Sequence, residues 1–516
     1  MALPANPLVP RSLVLVFLVG VLLYLPAVRY GFVQDDRAII VANPAAHDVG
    51  VALRAFDRPY WPPPAEAGLY RPLAILSFAV DWSLSRGNAG WLHVANALWH
   101  GLVSWLVVLV LLRWLPLGGA VAAGLVFAVH PVHVEGVVNL VSRSELLATA
   151  GMLAAVLAAR RRWWFIAALC ALLAMLSKER GVVTGAVILL DNWLRPSDED
   201  AYPPLFLGAL AAITAGFFLV WLRIGHAATA DVAAPFIGAD VARRLAMAFP
   251  AVSRAAWLLV WPGSLSVDYG PQVIPYRTGF SAAAAAGALL VTGVAAGGIW
   301  LRRRAPALSF AGLSAALAYL PSSNILFASG IVLAERDLYV PVLAPAAVLG
   351  AAVAWALERG ERQRVLLAGG ALIAVLAARS LIRLPAWADN RAFLLTLLEE
   401  HPESYRGWQS AAAVQAGMGK PAEARTAYSR ADSLFGGDPH LKAGYALFLI
   451  VQGDTAAAAP LARAARQMLP RERVALRVEY LLARARGERA RAAALADSAV
   501  RWFAVEQPWY DAARGR

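Results

Sequence analysis

The chain has 516 residues, of which 59% are hydrophobic and only 16% are charged. Soluble domains usually carry about 25% charged residues, so much of this protein's surface must face something other than water. The formal net charge of +13 would suit a nucleic-acid partner, but the arginines cluster at the ends of apolar segments, as in cytoplasmic loops of membrane proteins. Nucleic acid is therefore not an expected partner. The single cysteine, Cys170, excludes a disulfide framework within the chain.

The N-terminal apolar segment, residues 13–28, follows Arg11 and is not followed by an A-x-A cleavage site. We interpret it as a retained first membrane helix rather than a secretory signal. A crossing helix needs about 20 mostly apolar residues, although about 17 can suffice. On this basis the sequence predicts eleven spans, at residues 12–30, 93–113, 118–132, 145–159, 163–178, 181–194, 204–222, 280–301, 306–321, 339–357 and 364–382.

The arginine clusters fix the predicted direction of the spans, because cytoplasmic loops are enriched in Lys and Arg. If Arg11 is cytoplasmic and eleven segments cross, the clusters at 160–162, 302–304 and 359–364 all lie in the cytoplasm. If residues 247–262 also crossed, the last two clusters would lie outside. We therefore predict that 247–262 is interfacial or re-entrant. The prediction is a multi-pass protein in contact with membrane lipids, with a cytoplasmic N-terminus, and its Ala- and Arg-rich composition favours a bacterial inner membrane.

After about residue 385 the sequence shows an internal repeat. Gly419, Gly453 and Gly487 are spaced by 34 residues, and two sets of alanines repeat with the same spacing. This is the period of tetratricopeptide repeats, and Trp408 and Tyr428 lie at the expected offsets in the first repeat. An Ala-rich helical bundle with accidental spacing is the alternative. The predicted fold is thus all-α, with a membrane domain at 1–384, including a first external loop at 31–92, and a short extracytoplasmic α-solenoid at 385–516.

Asp35 and Asp36 are adjacent carboxylates just beyond the first predicted span. Like charges at this distance perturb each other's pKa, and such pairs suit acid/base or metal chemistry. On an ordinary loop, however, a pair of this kind is usually solvated and has no function.

Three further polar groups lie at predicted span ends. His133 and Glu135 could bind a metal or orient a carboxylate, although a buried structural histidine is the alternative. Lys178 and Glu179 lie between two spans, where an ion pair with a snorkelling lysine is also expected. Arg336 could hold a phosphate through two hydrogen bonds or anchor the chain at the interface. All of these groups are predicted on the outer face, which favours an anion-binding, acid/base site for a lipid-linked phosphate.

Five motifs carry a resemblance to a known family. The chain resembles the transmembrane and tetratricopeptide-repeat-containing protein O-mannosyltransferase-like family, which is similar to the GT-C glycosyltransferases. The motifs, in the family's order, are Phe32-Val33-Gln34-Asp35-Asp36, Tyr70-Arg71-Pro72-Leu73, His130-Pro131-Val132-His133-Val134-Glu135, Leu176-Ser177-Lys178-Glu179 and Glu335-Arg336-Asp337-Leu338-Tyr339-Val340-Pro341.

The resemblance implies a GT-C-type membrane domain that transfers a monosaccharide from a polyprenyl phosphate, with inversion, to a hydroxyl of an exported polypeptide or of a glycan. It implies catalytic roles for Asp35 and Asp36. The residues assigned to the donor phosphate are Arg336, Lys178 and Arg71; those assigned to support of the acidic pair or to a divalent metal cation are His133, Glu135 and Glu179; and the repeats, with Trp408 and Tyr428 as candidates, would present the acceptor. A transporter and a membrane-anchored repeat scaffold remain alternatives.

Overall fold

The structure is a computed structural model that describes residues 8–63, 68–196, 199, 201–224, 232–275, 279 and 281–514. Residues 64–67 of the predicted first loop and residue 280 of the predicted eighth span lie outside these ranges. Every secondary-structure element within them is helical, which confirms the predicted all-α class. The helices up to residue 383 are α1 (Leu8–Tyr24), α2 (Val49–Arg54), α3 (Pro72–Ser85), α4 (Ala89–Leu111), α5 (Leu117–Val129), α6 (His133–Val138), α7 (Arg143–Arg160), α8 (Trp164–Ser177), α9 (Thr184–Trp193), α10 (Pro204–Ile224), α11 (Val241–Val260), α12 (Ala282–Leu301), α13 (Pro306–Tyr319), α14 (Leu343–Glu358) and α15 (Arg362–Arg383).

Each of the eleven predicted spans coincides with one of these helices. Within the described ranges six helical segments are long and apolar enough to cross a membrane, and the chain is therefore a multi-pass membrane protein. Other predicted spans are shorter; α9 has only 10 residues, about 15 Å of helix against a hydrocarbon core of about 30 Å. The total of eleven crossings stays a prediction. The six long segments are Arg11–Arg29, Ala89–Leu111, Leu140–Arg160, Pro204–Ile224, Ala282–Leu301 and Arg362–Trp387.

The twelfth apolar stretch, residues 247–262, forms most of the amphipathic helix α11. One face is buried through Ala251, Ala255 and Leu258, while Trp257 and Val260 are exposed. α11 is not among the helices whose length and composition suit a crossing. An amphipathic helix with exposed apolar residues suits the plane of the membrane interface, in agreement with the predicted interfacial position.

The segment between α1 and α4 is packed rather than extended into solvent. It contains α2 and α3, and its buried residues form a separate core around Ile39, Ile40 and Phe78. Leu140 and Val141, which directly precede α7, complete this core. The apolar residues of the segment therefore fix its position against the membrane domain, and they carry the acidic pair with them.

The C-terminal part consists of three helical hairpins with the predicted 34-residue period. Their first helices begin at Tyr405, Pro439 and Arg473, and the glycine at each turn has a positive φ of 72° to 81°, which glycine adopts without strain. The small helix α23 packs Tyr510 into the last hairpin and covers its open end. The helices are α16 (Asn390–Glu400), α17 (Tyr405–Gly417), α18 (Pro421–Leu434), α19 (Pro439–Val451), α20 (Thr455–Met468), α21 (Arg473–Ala485), α22 (Arg489–Trp502) and α23 (Gln507–Arg514).

Candidate active site

Asp36 is a fully buried carboxylate that holds the first loop in place. Its Oδ2 accepts a hydrogen bond from the Val33 amide, and its Oδ1 accepts one from the Val141 amide, both at 2.9 Å. Burial raises the pKa of Asp36 to about 7. The expectation that both acidic residues lie in a solvated loop is therefore wrong for Asp36. A side chain with no exposed surface and both oxygens occupied positions the loop and does not reach an acceptor.

Asp35 differs from its neighbour in accessibility. Its side chain is partly exposed, and in the described part of the chain its carboxylate accepts no hydrogen bond. The backbone around it is fixed, because Gln34 adopts a left-handed φ of 50° and donates its amide to Asn390 Oδ1 at 2.7 Å. Asp35 is thus a carboxylate with free hydrogen-bonding capacity on a rigid support.

Arg336 is held in place by Glu135. Its amide donates to Glu135 Oε2 at 2.9 Å, and its Nη1 donates to Glu135 Oε1 at 2.5 Å. Burial lowers the pKa of Arg336, but the carboxylates of Glu135, Asp337 and Asp35 raise it by more, so that the pKa lies above its usual value. Because 22% of its side chain stays exposed, the guanidinium can still meet a ligand.

A second partly exposed arginine, Arg71, lies directly before α3. Its Nε donates to Glu179 Oε2 at 2.9 Å, and the amide of Tyr70 donates to Glu179 Oε1 at 2.8 Å. The guanidinium also lies 5.0 Å from the ring centroid of Tyr60. Glu179 therefore holds Arg71 in one orientation, while the terminal nitrogens of Arg71 form no hydrogen bond with any described residue.

Lys178 lies deeper than either arginine and is part of a buried ion-pair cluster. It pairs with Glu145 and lies 3.9 Å from Asp337 Oδ1. Arg180 contacts the same two carboxylates, with its Nη2 2.5 Å from Asp337 Oδ1, and donates to Ser322 Oγ at 3.1 Å. Only 9% of the Lys178 side chain is exposed. The two cations are matched by two carboxylates, so this cluster has no net charge and does not present Lys178 as a free cation for a phosphate.

Sequence reasoning did not assign Glu145, Arg180 and Asp337 to the site. The sequence could have indicated them by their charge at the ends of predicted spans, since burying an unpaired charge at membrane depth costs free energy. The pairing itself joins residues that are 35 and 157 positions apart and is visible only in the folded chain.

His133 is not part of this polar cluster. It is fully buried against the rings of Phe127, His100 and Tyr339, at centroid distances of 4.5, 5.2 and 4.4 Å, and its Nε2 lies 3.1 Å from the Tyr339 carbonyl oxygen. Burial holds the pKa of His133 well below its usual value, so the ring is neutral. The structure does not bring it to the acidic pair.

A metal site is likewise not formed by the predicted ligands. Glu135 is occupied by Arg336, and His133 faces an aromatic cluster. In the described ranges, no group of three or more His, Cys, Asp or Glu residues is arranged to hold a metal ion. The predicted metal role of His133 and Glu135 is therefore not supported by their positions. Glu135 instead orients Arg336, and Glu179 orients Arg71.

An apolar cavity of about 370 Å³ lies beside the ion-pair cluster. Its walls come from α11, α12 and α13 and from the segment after Asp337, with Leu259, Val291, Leu313, Tyr319, Leu338 and Pro341 among the lining residues. Ser323 also lines it and directly follows Ser322, the hydroxyl partner of Arg180. A charged cluster and an apolar cavity are thus adjacent, an arrangement that suits an amphipathic ligand.

The two aromatic candidates in the first repeat have packing roles. Tyr428 is buried, and its ring stacks on Tyr445 with centroids 5.1 Å apart. Trp408 packs partly buried against the same core and donates Nε1 to the Pro402 carbonyl oxygen at 2.7 Å. Tyr428 is therefore a core residue, which corrects its assignment to acceptor binding, whereas Trp408 keeps part of its surface exposed.

Comparison with known proteins places these motifs in context. No protein-family model matches the chain. A protein named Protein O-mannosyl-transferase F38B6.6, from Caenorhabditis elegans, is 28% identical over 345 residues, which is 64% of this chain and 49% of that protein. Protein O-mannosyl-transferase Tmtc2 of Drosophila melanogaster is 39% identical over 132 residues, 24% of this chain and 14% of that protein, and human Protein O-mannosyl-transferase TMTC3 is 35% identical over 131 residues, 25% of this chain and 14% of that protein.

A solved structure also aligns with the chain, at a low TM-score. The crystal structure of ArnT from Cupriavidus metallidurans bound to undecaprenyl phosphate aligns with 87% of this chain and 79% of that chain, at 17% sequence identity and a TM-score of 0.36. The matched region spans about half the length of the first curated relative, 49%. The sequence matches confirm the resemblance: the chain is similar to proteins named protein O-mannosyl-transferases.

Proposed function

We propose that this protein is an integral-membrane glycosyltransferase that transfers a monosaccharide from a polyprenyl-phosphate donor to a hydroxyl acceptor on the outer face of the membrane. The observation that carries the proposal is that Asp35 is a partly exposed carboxylate free of hydrogen bonds in the described structure, and that its charge acts on the partly exposed guanidinium of Arg336. A free base beside an anion-binding cation is what glycosyl transfer from a phosphate requires.

The donor phosphate would lie against Arg336 and Arg71. Both guanidiniums are oriented by carboxylates, Glu135 and Glu179 respectively, and each keeps donors free for charge-assisted hydrogen bonds. Lys178 and Arg180 pair with Glu145 and Asp337, so that these two carboxylates do not oppose the negative charge that develops on the leaving phosphate. The polyprenyl chain would occupy the apolar cavity next to Leu338.

The acceptor hydroxyl would approach from the side of Asp35. Asp35 takes the hydroxyl proton as the oxygen attacks the anomeric carbon, the bond from that carbon to the phosphate oxygen breaks, and the lipid phosphate leaves on the opposite face. The anomeric carbon is therefore inverted. A positioned general base typically contributes about 10²–10⁴-fold to the rate.

The acceptor would be a Ser or Thr hydroxyl of an exported polypeptide, presented by the repeat domain. Helical repeats form extended concave surfaces that suit polypeptides, and the names of the related proteins point to protein acceptors. A glycan hydroxyl is the competing acceptor.

The test is to incubate the purified full-length protein with a panel of polyprenyl-phosphate-linked monosaccharides and to measure the released lipid phosphate. The expected result is release from at least one donor, increased by an unfolded Ser- and Thr-rich polypeptide. The matched control is Asp35→Asn, which keeps the size of the side chain and removes the base. Release that is equal in the control and in the wild type, or absent with every donor, would refute the proposal.

A further inference from the structure

One segment of the membrane domain, residues 263–275, contacts both the repeat domain and the segment that carries Arg336. Asp268 in this segment pairs with Arg406 of the first repeat, with 3.0 Å between Asp268 Oδ1 and Arg406 Nη1. At its other contact, the Ser266 amide and the Tyr269 hydroxyl both donate to Glu335 Oε1, at 2.7 and 2.8 Å. We call residues 263–275 the bridging segment.

Glu335 is the last residue before Arg336 and is held rigidly. Its side chain is fully buried, and burial raises its pKa to about 7, with Arg383 opposing and Glu135 adding to the shift. The Arg336 amide, in the next peptide unit, donates to Glu135. A displacement of Glu335 must therefore move the backbone that orients the Arg336 guanidinium.

The repeat side of the bridging segment is equally well fixed. Arg406 lies at the start of α17, and its Nε donates to the Tyr405 hydroxyl at 3.1 Å. That hydroxyl donates to Asp438 Oδ2 at 2.9 Å, and Asp438 caps the first helix of the second repeat. Within the bridging segment, the Ser266 hydroxyl donates to the Asp268 carbonyl oxygen at 2.6 Å, which joins the residue that contacts Glu335 to the residue that pairs with Arg406.

From this continuous chain of hydrogen bonds we propose that Asp268 and Glu335 are positioning residues through which the repeat domain sets the orientation of Arg336 and hence the affinity for the donor phosphate. The inference rests on the proposed function, because it takes Arg336 as a phosphate-binding group. It goes further in making donor binding sensitive to the repeat that would hold the acceptor. Coupling free energy between two binding sites is reciprocal, so binding of the acceptor to the repeats would in turn change the affinity for the lipid phosphate.

The first measurement is the binding of undecaprenyl phosphate to the full-length protein in detergent. Arg406→Met keeps an unbranched apolar stem and removes the guanidinium that pairs with Asp268. We expect it to weaken binding about 3- to 30-fold, the usual range of residue-level coupling. The charge exchange Arg406→Asp with Asp268→Arg should restore most of the affinity. The control is Arg425→Met, which removes an ion pair with Asp454 inside the repeat domain and should leave binding unchanged.

The second measurement needs no lipid. Hydrogen–deuterium exchange in peptides covering residues 333–340 reports the amide hydrogen bond from Arg336 to Glu135. Arg406→Met should accelerate this exchange, and Arg425→Met should not. Two results would overturn the inference. One is hydrogen–deuterium exchange at 333–340 that is equally fast in Arg406→Met and Arg425→Met. The other is a double variant, Arg406→Asp with Asp268→Arg, that binds undecaprenyl phosphate as weakly as Arg406→Met does. If the wild-type protein fails to bind undecaprenyl phosphate, the donor assignment fails, while the exchange rates still decide whether the repeats act on Arg336.

Discussion

The carboxylates of Asp35 and Asp36 belong to adjacent residues and face different surroundings. That of Asp36 is enclosed and accepts hydrogen bonds from the amides of Val33 and Val141. That of Asp35 is partly exposed, and its charge contributes to the raised pKa of Arg336. The pair therefore divides into a residue that fixes the loop and a residue that is free to take a proton, and each assignment has its own experimental signature.

Asp35→Asn should lower transfer by at least about 10²-fold, because it removes the general base while keeping the size of the side chain. Folding should be unaffected, since the wild-type carboxylate makes no hydrogen bond in the described structure. The measurement is turnover together with the affinity for undecaprenyl phosphate, which should stay measurable. Asp57→Asn is the control, because Asp57 is an exposed acid in the same loop. Full activity in Asp35→Asn would exclude it as the base.

Asp36→Asn should destabilise the protein, since an Asn side chain can accept only one of the two backbone amides through its oxygen and turns a donor toward the other. An unsatisfied buried group of this kind costs about 1–3 kcal/mol. The effect depends on pH. The pKa of Asp36 is raised from 3.8 to about 7 in the folded protein, so the folded state binds the proton more tightly than the unfolded state does, and the wild type loses stability as pH rises between these values.

The difference in unfolding midpoint between wild type and Asp36→Asn should therefore be larger at pH 5 than at pH 8. Thermal unfolding in detergent at both pH values is the measurement. Equal differences at the two pH values would show that Asp36 does not titrate in this range, and an unchanged midpoint at both would contradict its structural role.

Arg336→Lys should weaken donor binding about tenfold or more, because the ammonium keeps the charge but loses the planar fork that contacts Glu135 and a phosphate together. A hydrogen bond to a charged group is worth about 1.5–3 kcal/mol. The affinity for undecaprenyl phosphate is the measurement, with Arg243→Lys, at the exposed start of α11, as the control. Unchanged affinity would reduce Arg336 to an anchor for Glu135.

The predicted topology places residues 302–304 in the cytoplasm and the repeats outside. Cys170 is the single cysteine, so a Cys170→Ser background permits labelling at chosen sites. We expect a membrane-impermeant maleimide to label Ser433→Cys in intact cells, or in spheroplasts if an outer membrane bars the reagent, and Arg303→Cys only after the membrane is permeabilised. Protection of Ser433→Cys would refute an odd number of crossings and would separate the repeats from the face proposed for Asp35.

The sequence by itself determined the helical class, the places of the eleven apolar helices and the 34-residue repeat. These features are local. Apolar runs of sufficient length form helices whose backbone bonds are satisfied internally, and the glycines at 419, 453 and 487 supply the positive φ at each hairpin turn. The motif order also brought Arg71, Glu135, Lys178, Glu179 and Arg336 into consideration together, and the structure places all five among its partly or fully buried ion pairs.

The tertiary structure alone decided which of these charges neutralise each other and which stay accessible. Arg336 and Glu135 are 201 residues apart, and Asp36 and Val141 are 105 apart, so no local pattern specifies either contact. The first loop packs around Ile39 and Phe78. This packing encloses Asp36 and leaves Asp35 partly exposed. Two identical side chains, adjacent in the chain, thus acquired different chemistry because only one of them was turned into the core.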